Sequence, residues 1–328
     1  MTLTFNPDTV TLPSGHHIGD KFVSLPGEEI AVLRPSDQVA ISPITDGGAN
    51  AVDMAVEAAK KGLSESGWAK IKPRERARIL FRFAEAVEAN AEYLGRVEAL
   101  GSSRLISGTI TGDAVRTAGV IRYYAEFCDK VEGLVTATED NVLSYVRKEP
   151  YGIVAGIVPW NFPIITATWK LAPALAAGNA VIMKTSELTP HSLMALADIA
   201  AKAGVPAGLF NVINGLGHTT GAEIVKHPDV GMISFTGSTK TGAAIMTLAA
   251  QSGIKPTVLE LGGKSPQLVL ADAGDLDAVS VRVANAFIGN AGQVCTAGSR
   301  IIVEDKIADE FTEKLIERTK AIKAGPTW

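Results

Sequence analysis

The apolar positions in the first part of the chain recur at the spacing of an α-helix. Between residues 73 and 94 they fall on one helical face, at Leu80, Phe83, Val87, Ala91 and Leu94. A second segment, 112–131, has the same character and contains Cys128, which we interpret as a small buried hydrophobic residue. We therefore expect the N-terminal part of the chain to be helical.

Beyond residue 150 the pattern changes to short apolar runs that alternate with helical stretches. Five runs are typical of buried strands, at 152–158, 179–184, 209–213, 231–235 and 257–261. This alternation predicts an α/β fold of Rossmann-like type, a mostly parallel sheet with helices on both faces. Ligands of such sheets bind outside the carboxyl ends of the strands, so the residues after each strand are the candidates for chemistry.

Two further segments divide the chain. Residues 133–150 alternate in polarity around turn residues, which predicts an antiparallel hairpin. From residue 263 a new strand–helix unit begins and runs to residue 328. We predict one α/β domain from 1–132 and 151–262, with 263–328 as an incomplete second α/β domain.

Composition and charge exclude several classes of protein. The formal net charge is −4 and no basic cluster stands out, so neither a nucleic acid nor a membrane is an expected partner. No apolar run is long enough to span a membrane, and the N-terminus does not resemble a signal peptide. Two distant cysteines and five scattered histidines predict neither disulfides nor a metal site. We expect a cytoplasmic protein.

The first and second predicted strands each end in polar residues. Asn161, after the first strand, offers a carboxamide that could stabilise an oxyanion, or it could cap the helix that begins near Pro163. Lys184 and Glu187, after the second, could bind the hydroxyls of a ribose, and the carboxylate would favour NAD over NADP. The alternative for this pair is a solvated salt bridge at a helix entry.

The third and fourth predicted strands end in glycine-containing turns. Gly237 and Ser238 precede a helix whose free amide groups could bind phosphate oxygens, although no G-x-G-x-x-G fingerprint occurs. Gly215 and Gly217 form a weaker turn after the third strand, best explained by turn chemistry alone.

The fifth predicted strand contains an acid, Glu260, followed by two glycines. Burial would raise the pKa of this carboxyl group towards neutrality, which suits a general base. The alternative is an acid paired with a buried lysine or arginine. The residues alone do not favour one over the other.

Cys295 lies between Gly292 and Gly298 in a stretch of small residues, which would leave its sulfur exposed. An accessible thiol is a candidate nucleophile, and its own amide could serve as an oxyanion donor. A structural cysteine would more often lie among large aliphatic residues. No histidine stands in a context that suggests a papain-type hydrolase.

Five motifs occur in an order that resembles the aldehyde dehydrogenase superfamily. They are VPWNFP, KTSE, FTGSTKTG, LELGGKSP and GQVCTAGSR, and the similarity extends from about Ile18 to the last residue. The resemblance implies NAD(P)-dependent oxidation of an aldehyde to a carboxylic acid. It implies that residues 1–132 and 151–262 bind the nucleotide, that 133–150 bridges subunits, and that 263–328 begins the catalytic domain.

The resemblance also implies roles for individual residues. Cys295 would be the nucleophile, Asn161 and the Cys295 amide would hold the oxyanion, and Glu260 would activate water. The positions implied to contact NAD, or possibly NADP, are Pro159, Trp160, Lys184, Glu187, Gly217, Gly237, Ser238, Thr239 and Gly242. The expected partners are an aldehyde and further copies of the chain, as a dimer or tetramer.

The family's catalytic domain continues beyond Trp328. We therefore expect this chain to correspond to part of a longer enzyme, with weak or absent turnover on its own. Two other functions stay open at this point. One is a non-catalytic module for nucleotide binding or subunit association, and the other is a relative that passes the acyl group to coenzyme A. The presence of Glu260 favours water as the acyl acceptor.

Overall fold

A computed structural model gives the fold of residues 3–328. Its helices are α1 (Gly48–Ser66), α2 (Pro73–Ala89), α3 (Ala91–Gly101), α4 (Ile106–Gly108), α5 (Ala114–Glu126), α6 (Pro163–Ala176), α7 (His191–Lys202), α8 (Thr220–Lys226), α9 (Thr239–Gln251), α10 (Leu276–Ile288) and α11 (Ala308–Lys320). Its strands are β1 (His16–Ile18), β2 (Lys21–Val23), β3 (Glu29–Leu33), β4 (Ala40–Thr45), β5 (Leu134–Val135), β6 (Tyr145–Val146), β7 (Ile153–Ile157), β8 (Ala180–Lys184), β9 (Phe210–Ile213), β10 (Val230–Gly237), β11 (Thr257–Leu261), β12 (Pro266–Val269) and β13 (Arg300–Val303). None of these helices is long and apolar enough to cross a membrane.

The main sheet has seven strands in the order β11-β10-β7-β8-β9-β1-β2. The five strands from β7 to β11 are parallel, as the apolar runs predict, and helices alternate with them. After β9 the chain crosses back to the other side of β7 to form β10, so strand order reverses between β7 and β10. A crevice at such a reversal is where ligands of open α/β sheets bind.

The N-terminal part contains strands that the helical prediction missed. β1 and β2 form an antiparallel hairpin that extends the main sheet beyond β9, and β3 pairs with β4 in a separate ribbon. The predicted helix over 73–94 is present but divides into α2 and α3 at Asn90. The second predicted helix is α5, and Cys128 lies just past its end, buried as expected.

The predicted hairpin and the last strand–helix unit are both present. β5 and β6 pair antiparallel, and most residues of the hairpin 133–150 are exposed. β12 and β13 form a small parallel sheet with its own core, formed by Val269, Val279, Val283 and Phe311. The large core of the rest of the chain is a separate cluster. The division into 1–132 with 151–262, 133–150 and 263–328 stays a prediction.

The helices on one face of the main sheet are joined to α6 through buried polar contacts as well as apolar packing. Trp68, fully buried, donates its indole N–H to the carbonyl oxygen of Leu175 at 2.9 Å. The buried Arg76 guanidinium donates to the carbonyl oxygens of Ala176 at 2.8 Å and of Trp68 at 3.0 Å. Since buried donors without acceptors are costly, these contacts fix the C-terminal end of α6 against α2.

Three buried histidines make the fold sensitive to acid. Burial lowers the pKa of His16 and of His191 to about 4, and it lowers the pKa of His17 as well. In the unfolded chain these side chains bind protons near their ordinary pKa of about 6.5. The contribution of these neutral histidines to stability is therefore fully present above that pH and is lost as the pH falls towards 4.

We predict that the free energy of unfolding falls by about 2 kcal/mol for each of His16 and His191 between pH 7.5 and pH 5. The measurement is urea unfolding at both pH values. His191→Gln, which keeps a donor for the carbonyl oxygen of Ser42, should reduce the pH dependence. Substitution of the exposed His218 by Gln is the control and should leave the pH dependence as it is. Equal pH dependence in the wild type and in His191→Gln would contradict the assignment.

Candidate active site

Cys295 lies on the loop between α10 and β13, and its side chain is exposed, as predicted. Three consecutive residues at the end of α10, Asn290, Ala291 and Gly292, have φ angles of 52°, 54° and 77°. A left-handed backbone costs a non-glycine residue on the order of 1 kcal/mol, so surrounding contacts must hold this turn. The turn reverses the chain ahead of the thiol.

The carboxamide of Asn161 supplies the main contact to this turn. Its Nδ2 donates to the carbonyl oxygen of Gln293 at 2.7 Å, and Nδ2 of Asn290 donates to the carbonyl oxygen of Asn161 at 3.0 Å. Asn161 makes no capping hydrogen bond to α6, whose N-cap residue is Phe162, so the capping alternative is wrong. The side chain instead ties the end of β7 to the thiol loop.

The end of β11 approaches the same loop from the other side. A Cβ atom placed on Gly263 would lie 3.0 Å from the carbonyl oxygen of Cys295. A larger residue would therefore push the two backbones apart by a few tenths of an ångström. Glu260 lies three residues earlier, paired in register with Thr236 of β10. The structure thus brings the segments that carry Asn161, Glu260 and Cys295 to one edge of the sheet.

Glu260 is exposed, so the prediction of a buried carboxyl group at this position is wrong. β11 is an edge strand of the main sheet, and exposed residues alternate with half-buried ones along it. The face of β11 that carries Val258 and Glu260 is thus the more exposed of its two faces. The carboxylate remains a candidate base, but without the burial that was expected to tune it.

Lys170 of α6 is a site residue that the sequence reasoning missed. It is buried, and its Nζ donates to Oγ1 of Thr236 at 2.5 Å. Burial lowers the pKa of Lys170 to about 8, while the negative charge of Glu260 acts in the opposite direction. The sequence feature that could have identified Lys170 is its position as the one charged residue in the apolar segment ATWKLAPALA. The opposite charges of Lys170 and Glu260 attract each other.

The start of α6 is braced by a second group of charges. Arg104 and the buried Asp113 form an ion pair, with Nη2 and Oδ1 2.6 Å apart, and the guanidinium lies 4.1 Å from the centre of the Phe162 ring. The buried Glu98 accepts from the amide of Ile164 at 3.3 Å, and burial raises the pKa of Glu98 to about 8. These contacts hold the residues that follow Asn161.

Lys184, the last residue of β8, forms a half-buried salt bridge with Glu187. Nζ of Lys184 lies 3.3 Å from Oε2 of Glu187, and the lysine side chain is only 4% exposed, against 38% for the glutamate. Burial lowers the pKa of Lys184, and Glu187 opposes that shift. The salt-bridge alternative is therefore present in the structure, with a buried lysine and a half-exposed glutamate, and ribose binding by the pair stays a prediction. The ammonium group of Lys184 and the carboxylate of Glu187 lie side by side at the carboxyl edge of the sheet.

The turn after β10 leads into α9 as predicted. Oγ of Ser238 accepts from the amide of Thr241 at 3.2 Å, so Ser238 is the N-cap residue. Ser238 and Thr239 are exposed, which leaves the first turn of the helix open to an anion. Gly242 has a packing role, because a Cβ atom there would lie 2.9 Å from Cδ2 of Leu261.

At three of the predicted cofactor positions, the surroundings do not indicate a specific role in binding. Pro159 is half-buried and Trp160 is 41% exposed, both directly after β7. Gly217 is exposed in the turn after β9, and a Cβ atom there would meet no atom within 4 Å. The structure gives no steric reason for glycine at 217, and a role for that position in cofactor binding stays a prediction.

Comparison with known proteins gives a consistent result. A family model described as "Aldehyde dehydrogenase family" matches residues 22–328. The chain is 41% identical over 314 residues to an aldehyde dehydrogenase of Alternaria alternata, covering 95% of this chain and 63% of that protein. It is 39% identical over 307 residues to the NADP/NAD-dependent aldehyde dehydrogenase PuuC of Escherichia coli, covering 94% and 62%.

Solved structures agree. One is an indole-3-acetaldehyde dehydrogenase in complex with NAD+, which superposes with a TM-score of 0.94 at 38% identity and covers 98% of this chain and 65% of that one. Another is the aldehyde dehydrogenase KauB from Pseudomonas aeruginosa, with the same TM-score, identity and coverage. The chain thus spans about 63% of the length of the first relative.

We predict that iodoacetamide modifies Cys295 at least roughly tenfold faster than Cys128 in the native protein, because only the thiolate of an accessible cysteine reacts quickly. Cys295 is exposed, whereas Cys128 is 5% exposed and burial raises the pKa of its thiol. The measurement is mass spectrometry of peptides over time, with Cys128→Ala and Cys295→Ala as matched controls. Equal rates at the two thiols would contradict the site.

Proposed function

Because the chain belongs to the aldehyde dehydrogenase family, we propose that it oxidises an aldehyde to a carboxylic acid, with a nicotinamide dinucleotide as hydride acceptor. The observation that carries this proposal is the hydrogen bond from Asn161 to Gln293, which ties a carboxamide donor to the loop of the exposed Cys295. A nucleophilic thiol beside an oxyanion donor is the combination that acyl-thioester chemistry requires.

The groups at the ends of β8 and β10 fit a bound dinucleotide. Lys184 and Glu187 offer a donor and an acceptor for the vicinal hydroxyls of a ribose, and the open first turn of α9 after Ser238 suits a phosphate. When bound, the dinucleotide supplies the ring that accepts the hydride. The carboxylate of Glu187 would repel a 2′-phosphate, which supports NAD over NADP.

Cys295 would add to the aldehyde as a thiolate. A bond forms between its sulfur and the carbonyl carbon, and the carbonyl oxygen becomes an oxyanion. The carboxamide of Asn161 carries two N–H groups. One donates to the carbonyl oxygen of Gln293, and the other would donate to the oxyanion together with the Cys295 amide. Loss of hydride from the former aldehyde carbon then leaves a thioester on the sulfur.

Glu260 would release the product. Its carboxylate takes a proton from water, the water oxygen attacks the thioester carbon, and the bond from that carbon to the Cys295 sulfur breaks, so that the acid is released and the thiolate is restored. The ammonium group of Lys170, which is hydrogen-bonded to Thr236, would attract this carboxylate at the end of β11. The exposed setting of Glu260 suits a base that must reach an incoming water molecule.

We further propose that the three segments divide the work as the sequence predicts. Residues 1–132 and 151–262 bind the nucleotide, and 263–328 carry the thiol. The hairpin 133–150 would join copies of the chain, because its apolar side chains are exposed, among them Leu134 at 68%, Val135 at 77% and Leu143 at 77%. Exposed apolar residues on a two-stranded ribbon suit pairing with another subunit.

Glu187→Gln should narrow the discrimination between NAD and NADP by roughly tenfold, because the substitution removes the charge that repels a 2′-phosphate. Titration calorimetry with each dinucleotide measures the ratio of the two dissociation constants. Glu313→Gln, which changes an exposed acid on α11, is the control. An unchanged ratio in Glu187→Gln would place the 2′-position away from this carboxylate.

Glu260→Gln should leave a first turnover of NADH, up to one per Cys295, while later turnovers slow by roughly 100-fold or more, because the thioester then lacks its base. The measurement is rapid-mixing absorbance with propanal and excess NAD. If steady NADH formation in Glu260→Gln depends on added coenzyme A, the acyl acceptor is coenzyme A and the assignment of water is wrong. A complete lack of NADH from the wild type would agree with the expected weak or absent turnover of this chain on its own, and equal alkylation of Cys295 and Cys128 would then favour a non-catalytic module.

A further inference from the structure

Asn290 occupies the first position of the left-handed turn that precedes the thiol. Its φ angle is 52°, and Ala291 and Gly292 follow with 54° and 77°. Asparagine adopts this conformation more readily than most residues with a side chain, but glycine adopts it at lower cost. The backbone alone would therefore accept glycine at position 290, and it does not explain what the asparagine side chain does there.

The side chain of Asn290 closes a ring of hydrogen bonds around Asn161. Its Nδ2 donates to the carbonyl oxygen of Asn161 at 3.0 Å and to that of Gln293 at 3.4 Å. The carbonyl oxygen of Gln293 also accepts from Nδ2 of Asn161 at 2.7 Å. Both the main chain and the carboxamide of Asn161 are thus tied to the segment that leads to Cys295.

The orientation of the Asn290 carboxamide is fixed by these acceptors. Its Oδ1 is buried and has no hydrogen-bond partner within residues 3–328. If the carboxamide were turned over, Oδ1 would face two carbonyl oxygens, which cannot donate to it. The amino group is therefore the part that binds, and a carboxylate of the same size could not replace it.

This ring of hydrogen bonds bears on the chemistry through the direction of one N–H group. The carboxamide of Asn161 is planar, so the bond from its Nδ2 to Gln293 also sets where the second N–H points. A donor stabilises an oxyanion only when it is aimed at the position that the charged oxygen takes up. A residue that holds Asn161 in place therefore affects the reaction without touching the substrate.

We infer that Asn290 is a positioning residue, which holds Asn161 so that its second N–H meets the oxygen of the aldehyde adduct. The inference rests on the proposed function, since it assumes that Cys295 adds to an aldehyde beside Asn161. Asn290 should then matter for reactions in which a carbonyl oxygen gains charge. It should matter little for the reactivity of the thiol itself.

Two reactions of Cys295 separate these effects, and neither needs a cofactor. Iodoacetamide forms a sulfur–carbon bond and releases iodide, so no carbonyl oxygen gains charge. Propanal adds reversibly, with a new sulfur–carbon bond and the thiol hydrogen passing to the carbonyl oxygen, and the adduct blocks alkylation. In Asn290→Gly the alkylation rate should stay within roughly twofold of the wild type, while the propanal concentration that halves it should rise roughly tenfold.

A double-mutant cycle shows whether Asn290 acts through Asn161. Asn161→Ala should also raise the half-blocking concentration, and Asn290→Gly added to it should raise it no further. Asn290→Asp, a second variant that keeps the size but loses the donor, should raise it as Asn290→Gly does. Asn285→Asp, which places the same charge at an exposed position of α10, is the matched control and should keep the wild-type value. Circular dichroism checks that each variant is folded.

The outcomes distinguish the role of Asn290 from the proposed function. If Asn290→Gly leaves the half-blocking concentration unchanged, or raises it equally with and without the Asn161 carboxamide, the role of Asn290 is wrong and the proposed function stands. If Asn161→Ala changes nothing, Asn161 is not the oxyanion donor and the role of Asn290 is wrong as well, although the thiol still adds to aldehydes. If propanal never blocks Cys295 in the folded wild type, the proposed function and the role of Asn290 are overturned together.

Discussion

The site depends on one constraint, that the carboxyl ends of parallel strands meet at one edge of a sheet. The ends of β7, β8, β10 and β11 deliver Asn161, Lys184, Ser238 and Glu260 to that edge, although these residues are far apart in sequence. The crossing of the chain from β9 to β10 opens a crevice beside β7. The thiol loop is then held against this edge by the Asn161 carboxamide.

The central parallel strands β7 and β8 could be predicted because both of their faces are covered, so each reads as a nearly unbroken apolar run. β7 and β8 are buried at every position. The N-terminal strands could not, because they are short and contain polar residues. β1 is fully buried yet begins with His16 and His17, and nothing in those residues separates a buried strand from a polar loop. Its place beside β9 is decided by tertiary contacts.

Some features of the candidate site could likewise be predicted from the sequence, and others could not. The exposure of Cys295 follows from the small residues around it, and the turn at Gly292 agrees with that reading. The surroundings of Glu260 do not follow from TVLEL, because the sequence does not say that β11 is an edge strand. Lys170 is visible in the sequence only as a single charge within an apolar helix. Which group it faces depends on how α6 packs against β10, and only the structure gives that.

The central claim is that the Cys295 thiol forms a covalent bond to the oxidised carbon of an aldehyde. Mass spectrometry of the protein quenched in acid after brief exposure to hexanal and NAD tests it directly. The account predicts an acyl group on the peptide that contains Cys295, seen as a net mass increase equal to the aldehyde less two hydrogen atoms. An unmodified Cys295 peptide from protein that has nevertheless produced NADH would contradict the account.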